Sequence, residues 1–147
     1  MEKENLAEEL MKTFITLKKS KFLNISECTN LTHNEKLVLF LVNDLSSKGK
    51  VQLSDLREKI ELAPSTITPI LASLEEKGFL ERVIDKSDRR NIFLNLSEKG
   101  IEHMKMIHKL ALENTSEYIN YMGEEDSKEL IRLISKTAKY FKERKKN

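Results

Sequence analysis

The sequence predicts a mainly α-helical fold that carries one small β-hairpin. Apolar residues recur every three or four positions through most of the chain, which is the spacing of one face of a helix. Only four Gly and two Pro occur among the 147 residues, so little of the chain can be loop. The exception is a pair of short segments joined by a charged turn, the second of which alternates apolar and polar residues, as β-strands do.

The first part of the chain predicts three helices and one very short strand. The first helix spans 6–17, and the second starts at the capping box Thr32–Glu35 and ends before Gly49. Residues 51–53 alternate and predict a short strand. Ser54 is then the predicted N-cap of a third helix over 55–60.

The second part predicts three more helices and the hairpin. Pro64 suits the first position of a helix over 64–77, because its missing amide N–H costs nothing there, and Gly78 suits the position after its end. Two strands over 79–84 and 91–96 form the hairpin. A long helix opens at 97–100 and ends at Gly123, and a last helix spans 126 to about 143.

Two short helices, a tight turn and a hairpin with a basic tip form the pattern of a winged helix-turn-helix over 32–100. The helix over 64–77 carries small polar side chains away from its apolar stripe, where an ordinary solvated face would carry Lys and Glu. Such a surface fits a major groove, where hydroxyls meet base edges. The basic side chains of the hairpin tip can lie along the phosphate backbone or enter a minor groove. Asp88 is placed to orient the Arg90 guanidinium. The predicted DNA contacts are Ser54, Ser65, Thr66, Thr68, Pro69, Ser73, Lys86, Arg89 and Arg90.

Apolar stripes at both ends of the chain predict a homodimer, because a DNA-binding part of this size cannot cover both of them. The dimerisation contacts are expected at Leu6, Leu10, Phe14, Ile131, Ile134, Ala138 and Phe141. We therefore expect one domain over 1–147, in which 32–100 binds DNA and the helices within 1–31 and 101–147 form the dimerisation part.

Three motifs occur in a fixed order along the chain. They are Leu74-Glu75-Glu76-Lys77-Gly78-Phe79-Leu80-Glu81-Arg82, Asp88-Arg89-Arg90 and Leu94-Asn95-Leu96-Ser97-Glu98-Lys99-Gly100. Together they resemble the motif string of the MarR family of winged helix-turn-helix transcriptional regulators. The resemblance covers essentially the whole chain and implies a dimer whose first and last helices interlock and whose two wings straddle a palindromic operator. It also implies a ligand or redox signal that moves the two DNA-binding parts apart, without identifying that signal.

The signal is not settled by the residues. The segment Thr66-Ile67-Thr68-Pro69 resembles the recognition helix of the hydroperoxide-sensing branch, whose members sense through a cysteine in the first helix. Here that helix carries Phe14, and the single Cys28 lies in a linker beside Glu27, whose charge disfavours a reactive thiolate. Cys28 is either an inert thiol or a redox sensor. His108 and Thr115 interrupt the apolar stripe of the long helix, and they either fix its register or line a small-molecule pocket.

Other classes of function lack support in the sequence. There is no phosphate loop and no Ser/His or paired-carboxylate motif, and His103 and His108 lie about 140° apart on a helix, so neither enzyme, cofactor nor metal site is predicted. The charged N-terminus is unlike a secretory signal and no stretch is long and apolar enough for a membrane span, so we expect a cytoplasmic protein without membrane contact. The net charge of +2 permits nucleic-acid binding without arguing for it.

The predicted function is a sequence-specific regulator that binds double-stranded DNA. We expect a ligand- or stress-responsive repressor that acts as a homodimer and has an unidentified small-molecule effector. The alternative is a winged-helix module that contacts other proteins without specific DNA binding. Salt distinguishes the two, because each phosphate contact to DNA releases counterions and makes binding weaken as salt rises.

Overall fold

A computed structural model describes residues 1–20 and 29–145, and Cys28 lies outside the described residues. Within them the order is α1-α2-β1-α3-α4-β2-β3-α5-α6. The bounds are α1 Glu2–Lys19, α2 His33–Ser46, β1 Val51–Gln52, α3 Leu53–Lys59, α4 Pro64–Glu76, β2 Leu80–Ile84, β3 Ile92–Leu96, α5 Glu98–Met122 and α6 Glu124–Arg144. This mainly helical architecture with a small sheet confirms the predicted fold class.

The chain divides into two compact units, Met1–His33 and Asn34–Asn147. The first contains α1, an amphipathic helix with none of its residues buried. Acidic side chains in its first turn and basic ones in its last turn complement the helix dipole. The second unit contains the remaining elements, apart from the first residue of α2, and all of the DNA-contact residues that the sequence predicted.

The core of the second unit lies between three helices and a three-stranded sheet. The sheet is antiparallel in the order β1-β3-β2, with Leu80 opposite Leu96 and Ile84 opposite Ile92 in the hairpin. The largest fully buried side chains come from every one of these elements and are Val38, Leu39, Val42, Val51, Leu56, Ile67, Leu71, Leu74, Leu80 and Leu94. This core carries α4 and the hairpin on its surface.

Three predicted helix starts are wrong, that of α1 by four residues, since it begins at Glu2 and not at Leu6, and those of α3 and α6 by two. The predicted N-cap at Ser54 is incorrect, because α3 starts at Leu53 and its N-cap is Gln52, whose backbone N–H donates to the Asp55 carboxylate at 2.9 Å. Ser54 lies instead in the first turn of α3. The last helix starts at Glu124 and not at Asp126, because Gly123 adopts a positive φ of 84° and lets α6 follow α5 directly.

Candidate nucleic-acid interface

One side of α4 packs on the core and the opposite side faces solvent. Ile67, Leu71 and Leu74 are buried. The exposed side, here called the outer face of α4, consists of Ser65, Thr68, Pro69, Ala72 and Glu76. The predicted contact residue Thr66 is half-buried at its edge. The predicted contacts did not include Ala72 and Glu76, although the helical spacing from Ser65 through positions 68 and 69 continues to both.

The two prolines of α4 determine the hydrogen bonding of its first turns. Pro64 occupies the first helical position, and the Ala63 carbonyl accepts from the N–H groups of Thr66 at 2.9 Å and Ile67 at 3.1 Å. Pro69 has no N–H to donate to the carbonyl four residues earlier, that of Ser65. The Thr68 hydroxyl donates to the Pro64 carbonyl at 3.1 Å, which leaves its oxygen able to accept a hydrogen bond from outside.

Ser73 is not on the outer face. Its hydroxyl donates to Glu35 Oε1 at 2.6 Å, and Lys77 Nζ donates to both oxygens of the same carboxylate at 2.8 Å. Glu35 belongs to α2 and is buried, so these contacts direct Ser73 and Lys77 towards α2. Ser73 was a predicted DNA contact because it does not lie on the apolar stripe, and the sequence around Glu35 indicated only a capping box.

Two aspartates shape the tip of the hairpin. Asp85 Oδ1 accepts from the Ser87 hydroxyl at 2.7 Å and the Ser87 N–H at 2.9 Å, and these bonds lower the pKa of Asp85. Asp88 Oδ1 accepts from the Arg90 N–H at 3.1 Å and from Arg90 Nε at 3.2 Å. This contact holds the guanidinium group at its Nε atom while the Arg90 side chain stays 91% exposed.

The basic residues of the tip all face solvent. Lys86, Arg89 and Arg90 are exposed, as is Ser54 in α3. Lys50 is a further exposed cation, which the predicted contacts did not include. Its ammonium group lies 5.7 Å from the centre of the Phe93 ring in β3, and its charge helps to lower the pKa of Asp85. The signal for it was its position directly before β1.

The predicted dimerisation residues are also exposed. Phe14 of α1 and Phe141 of α6 are each more than half exposed. The other predicted residues on these two helices, also exposed, are Leu6, Leu10, Ile131, Ile134 and Ala138. Large apolar side chains grouped on one helix face mark surfaces that contact another molecule.

Neither a metal site nor a membrane span emerges from the described ranges 1–20 and 29–145. No three His, Cys, Asp or Glu side chains there are grouped so that they could hold a metal ion. None of the helices in those ranges has both the length and the apolar character for crossing a bilayer. His103 packs against the Phe79 ring, with 5.0 Å between the ring centroids, and burial together with Lys99 and Lys36 lowers the pKa of His103.

Known proteins match this chain in sequence and in fold. The MarR family model matches residues 31–92. The HTH-type transcriptional regulator MhqR of Bacillus subtilis is 30% identical over 146 residues, which cover 92% of this chain and 98% of that protein.

Two solved structures share the fold. YusO of Bacillus subtilis has a TM-score of 0.71 at 22% identity and covers 92% of this chain and 96% of its own. Bordetella bronchiseptica BpsR, described for regulation of its DNA binding by 6-hydroxynicotinic acid, has a TM-score of 0.60 at 18% identity, with 88% and 91% covered. As its motifs predicted, the chain belongs to the MarR family and is an HTH-type transcriptional regulator.

Proposed function

We propose that this regulator binds a palindromic DNA operator as a homodimer, with α4 in the major groove and the hairpin tip beside it. The observation that carries the proposal is the outer face of α4. Its first two turns expose only small uncharged side chains, in a chain of which 34% of the residues are charged. A major groove about 12 Å wide admits a helix about 10–12 Å in diameter, and small side chains let it approach the base edges.

The hydrogen bonding of α4 restricts what each residue can recognise. Because the Thr68 hydroxyl proton is engaged with the Pro64 carbonyl, Thr68 offers a base only an acceptor and a methyl group. It therefore suits an adenine or cytosine amino group, or a thymine methyl. Among the described residues no contact engages the Ser65 hydroxyl, so Ser65 can offer a base both a donor and an acceptor. Ala72 offers a methyl group alone, and Thr66 contributes from the edge of the face.

The hairpin tip supplies charge. Lys86 and Arg89 are suited to phosphate contacts, which bind any sequence. Arg90, held by Asp88, is suited to a narrow minor groove, where the negative potential is enhanced. Lys50 adds a cation beside Phe93, close enough to Asp85 at the tip to affect the pKa of that carboxylate.

Dimerisation is supported by the exposed apolar faces of α1 and α6. A palindromic operator requires two DNA-binding parts related by a two-fold axis, and a symmetric dimer provides them. A small-molecule effector is supported by the printed description of BpsR, whose DNA binding responds to such a compound. We infer that the chain acts in the cytoplasm as a repressor, without enzymatic activity or a cofactor.

Selection from a pool of random duplexes tests this function. We expect the wild-type protein to enrich a palindrome whose half-sites lie about 10 bp apart, and sedimentation to show two protomers on each duplex. The matched control is a protein with Lys86→Ala, Arg89→Ala and Arg90→Ala, which should enrich the palindrome poorly or not at all. A pool without any enriched sequence after repeated rounds would contradict the proposal.

A further inference from the structure

We propose that Glu35 is a positioning residue for DNA recognition, which fixes the orientation of α4 through Ser73 and Lys77 and so sets how sharply the protein distinguishes its operator from other DNA. This inference rests on the proposed function of α4. Glu35 itself lies on α2 and is 4% exposed, so it acts through α4 and not by touching DNA.

The contacts of Glu35 converge on one side of α4. Ser73 and Lys77 are four residues apart and therefore lie on the same helix face. Ser73 Oγ donates to Oε1, and Lys77 Nζ donates to both carboxylate oxygens. One side chain of α2 thus holds two positions one helical turn apart at the C-terminal end of α4, which fixes a direction as well as a distance.

The charges of this cluster suit the helix ends at which they lie. Glu35 is in the first turn of α2, where the helix dipole favours a negative charge, and Lys77 directly follows the last residue of α4, where it favours a positive charge. A buried carboxylate is costly unless it is paired and hydrogen-bonded. Rotation of α4 away from α2 would separate Glu35 from both partners, so the cluster resists that rotation.

Two neighbouring contacts hold the same end of α4 from other directions. Glu75 forms an ion pair with Arg82 of β2. The Lys77 carbonyl accepts from Lys99 Nζ in α5 at 2.6 Å. The C-terminal end of α4 therefore contacts α2, β2 and α5. The orientation of its first turns, which carry Ser65 and Thr68, depends on the orientation of that end.

Orientation matters because the rest of α4 is held by apolar packing. Contacts of Ile67, Leu71 and Leu74 are not directional, whereas hydrogen bonds are. At a Cα radius of about 2.3 Å, a rotation of about 20° moves a backbone atom by roughly 0.8 Å and a side-chain tip by more. Recognition geometry has to be held within about 0.5 Å and 10–20°. Loss of the Glu35 contacts should therefore impair base recognition more than phosphate contact.

The test compares Glu35→Gln with Glu102→Gln, which removes the same charge from an exposed position on α5. Affinities for the selected operator and for a random duplex of equal length are measured at one salt concentration, well below the unfolding temperature. We expect Glu35→Gln to lower operator affinity about tenfold, comparable to the loss of one good base contact, and random-duplex affinity by less than about twofold. Glu102→Gln should leave the ratio of the two affinities unchanged. An unchanged ratio for Glu35→Gln, or equal losses on both duplexes, would overturn the inference.

Ser73→Ala supplies a milder second variant that decides the case if Glu35→Gln does not fold. We expect it to lower the affinity ratio by roughly fivefold, the value of one net hydrogen bond, and an unchanged ratio counts against the inference. The double variant pairs Ser73→Ala with Glu35→Ala, because the amide oxygen left by Glu35→Gln could still accept from Ser73, and its loss should not exceed that of Glu35→Ala alone. Additive losses would show that Ser73 contacts DNA directly. If the wild-type protein shows no preference for the operator, both the proposed function and this inference are wrong. If the wild-type protein prefers the operator and Glu35→Gln keeps the same preference, only this inference is wrong.

Discussion

Replacement of Gly100 by Ala should destabilise the fold, although the same change stabilises an ordinary helix. Gly100 is buried in the first turn of α5, and a Cβ atom there would lie 2.1 Å from the Phe79 carbonyl oxygen. Backbone cannot yield as a flexible side chain does, so the start of α5 would have to retreat by about 1 Å. The Ser97 N–H donates to that same Phe79 oxygen at 3.1 Å, and the Ser97 hydroxyl donates to the Gly78 carbonyl at 2.5 Å, so the retreat would break both bonds.

The magnitude follows from these contacts. Overpacking costs typically about 1–3 kcal/mol, and each lost hydrogen bond about 0.5–1.5 kcal/mol. The better helix propensity of Ala stabilises the folded state by about 1 kcal/mol, which offsets part of this loss. We therefore expect the free energy of unfolding to fall by about 3 kcal/mol, which lowers the melting temperature of a chain of this size by about 10 °C.

Urea unfolding followed by circular dichroism, at one protomer concentration because a dimer's stability depends on it, measures this change. The matched control is Glu102→Ala, an exposed position on the same helix, which should change the free energy by less than about 0.5 kcal/mol. If Gly100→Ala is as stable as the wild type or more stable, helix propensity dominates and the contact between the start of α5 and Phe79 is not as close as described.

Further predictions concern DNA contact, titration and assembly. Arg90→Ala should weaken operator binding by about 1–3 kcal/mol in a filter-binding or anisotropy assay without changing the melting temperature, since the side chain is 91% exposed; the reverse pattern would make Arg90 structural. Thr68→Ala should lower the ratio of operator to random-duplex affinity, whereas Lys86→Ala should weaken both and nearly preserve the ratio; equal losses for Thr68→Ala would mean that it touches only the backbone. Burial and two nearby lysines lower the pKa of His103, so its protonation is less favourable in the folded than in the unfolded state. The free energy of unfolding should therefore fall as the pH drops below about 6.5, and His103→Asn should make that fall smaller in urea titrations; an unaltered pH profile would speak against it. Sedimentation at micromolar concentration should show a dimer, and a stable monomer would refute the proposed assembly.

Much of the architecture could be predicted from local patterns. Apolar residues every three or four positions indicate helices, and alternation of apolar and polar residues indicates strands. Gly78 and Gly123 mark helix ends because both adopt a positive φ. The outer face of α4 follows from the same periodicity. These features depend on residues within one or two turns of each other, so the sequence alone contains the information needed to find them.

The features that could not be predicted depend on contacts between distant parts of the chain. Ser73 and Glu35 are 38 residues apart, and the local pattern around each suggests a different role, a groove contact for one and a helix cap for the other. Gly100 belongs to the motif that carries the family resemblance. The need for a glycine there, which is the close approach to the Phe79 carbonyl oxygen, is visible only in the fold. The observed start of α3 differs from the predicted one because the Asp55 side chain, in the first turn, accepts from the backbone N–H of Gln52. Gln52 and not Ser54 is therefore the N-cap.

The central claim is that this regulator recognises a DNA sequence with α4 and the hairpin tip. The most direct test is a titration of the wild-type protein with the selected operator and with a scrambled duplex of the same composition, over a range of salt concentrations. We predict that the operator binds at least about 10³-fold more tightly at physiological salt, and that both affinities fall linearly on a plot of log affinity against log salt. Equal affinity for the two duplexes, or affinity that does not depend on salt, would contradict the claim and favour a module that binds proteins.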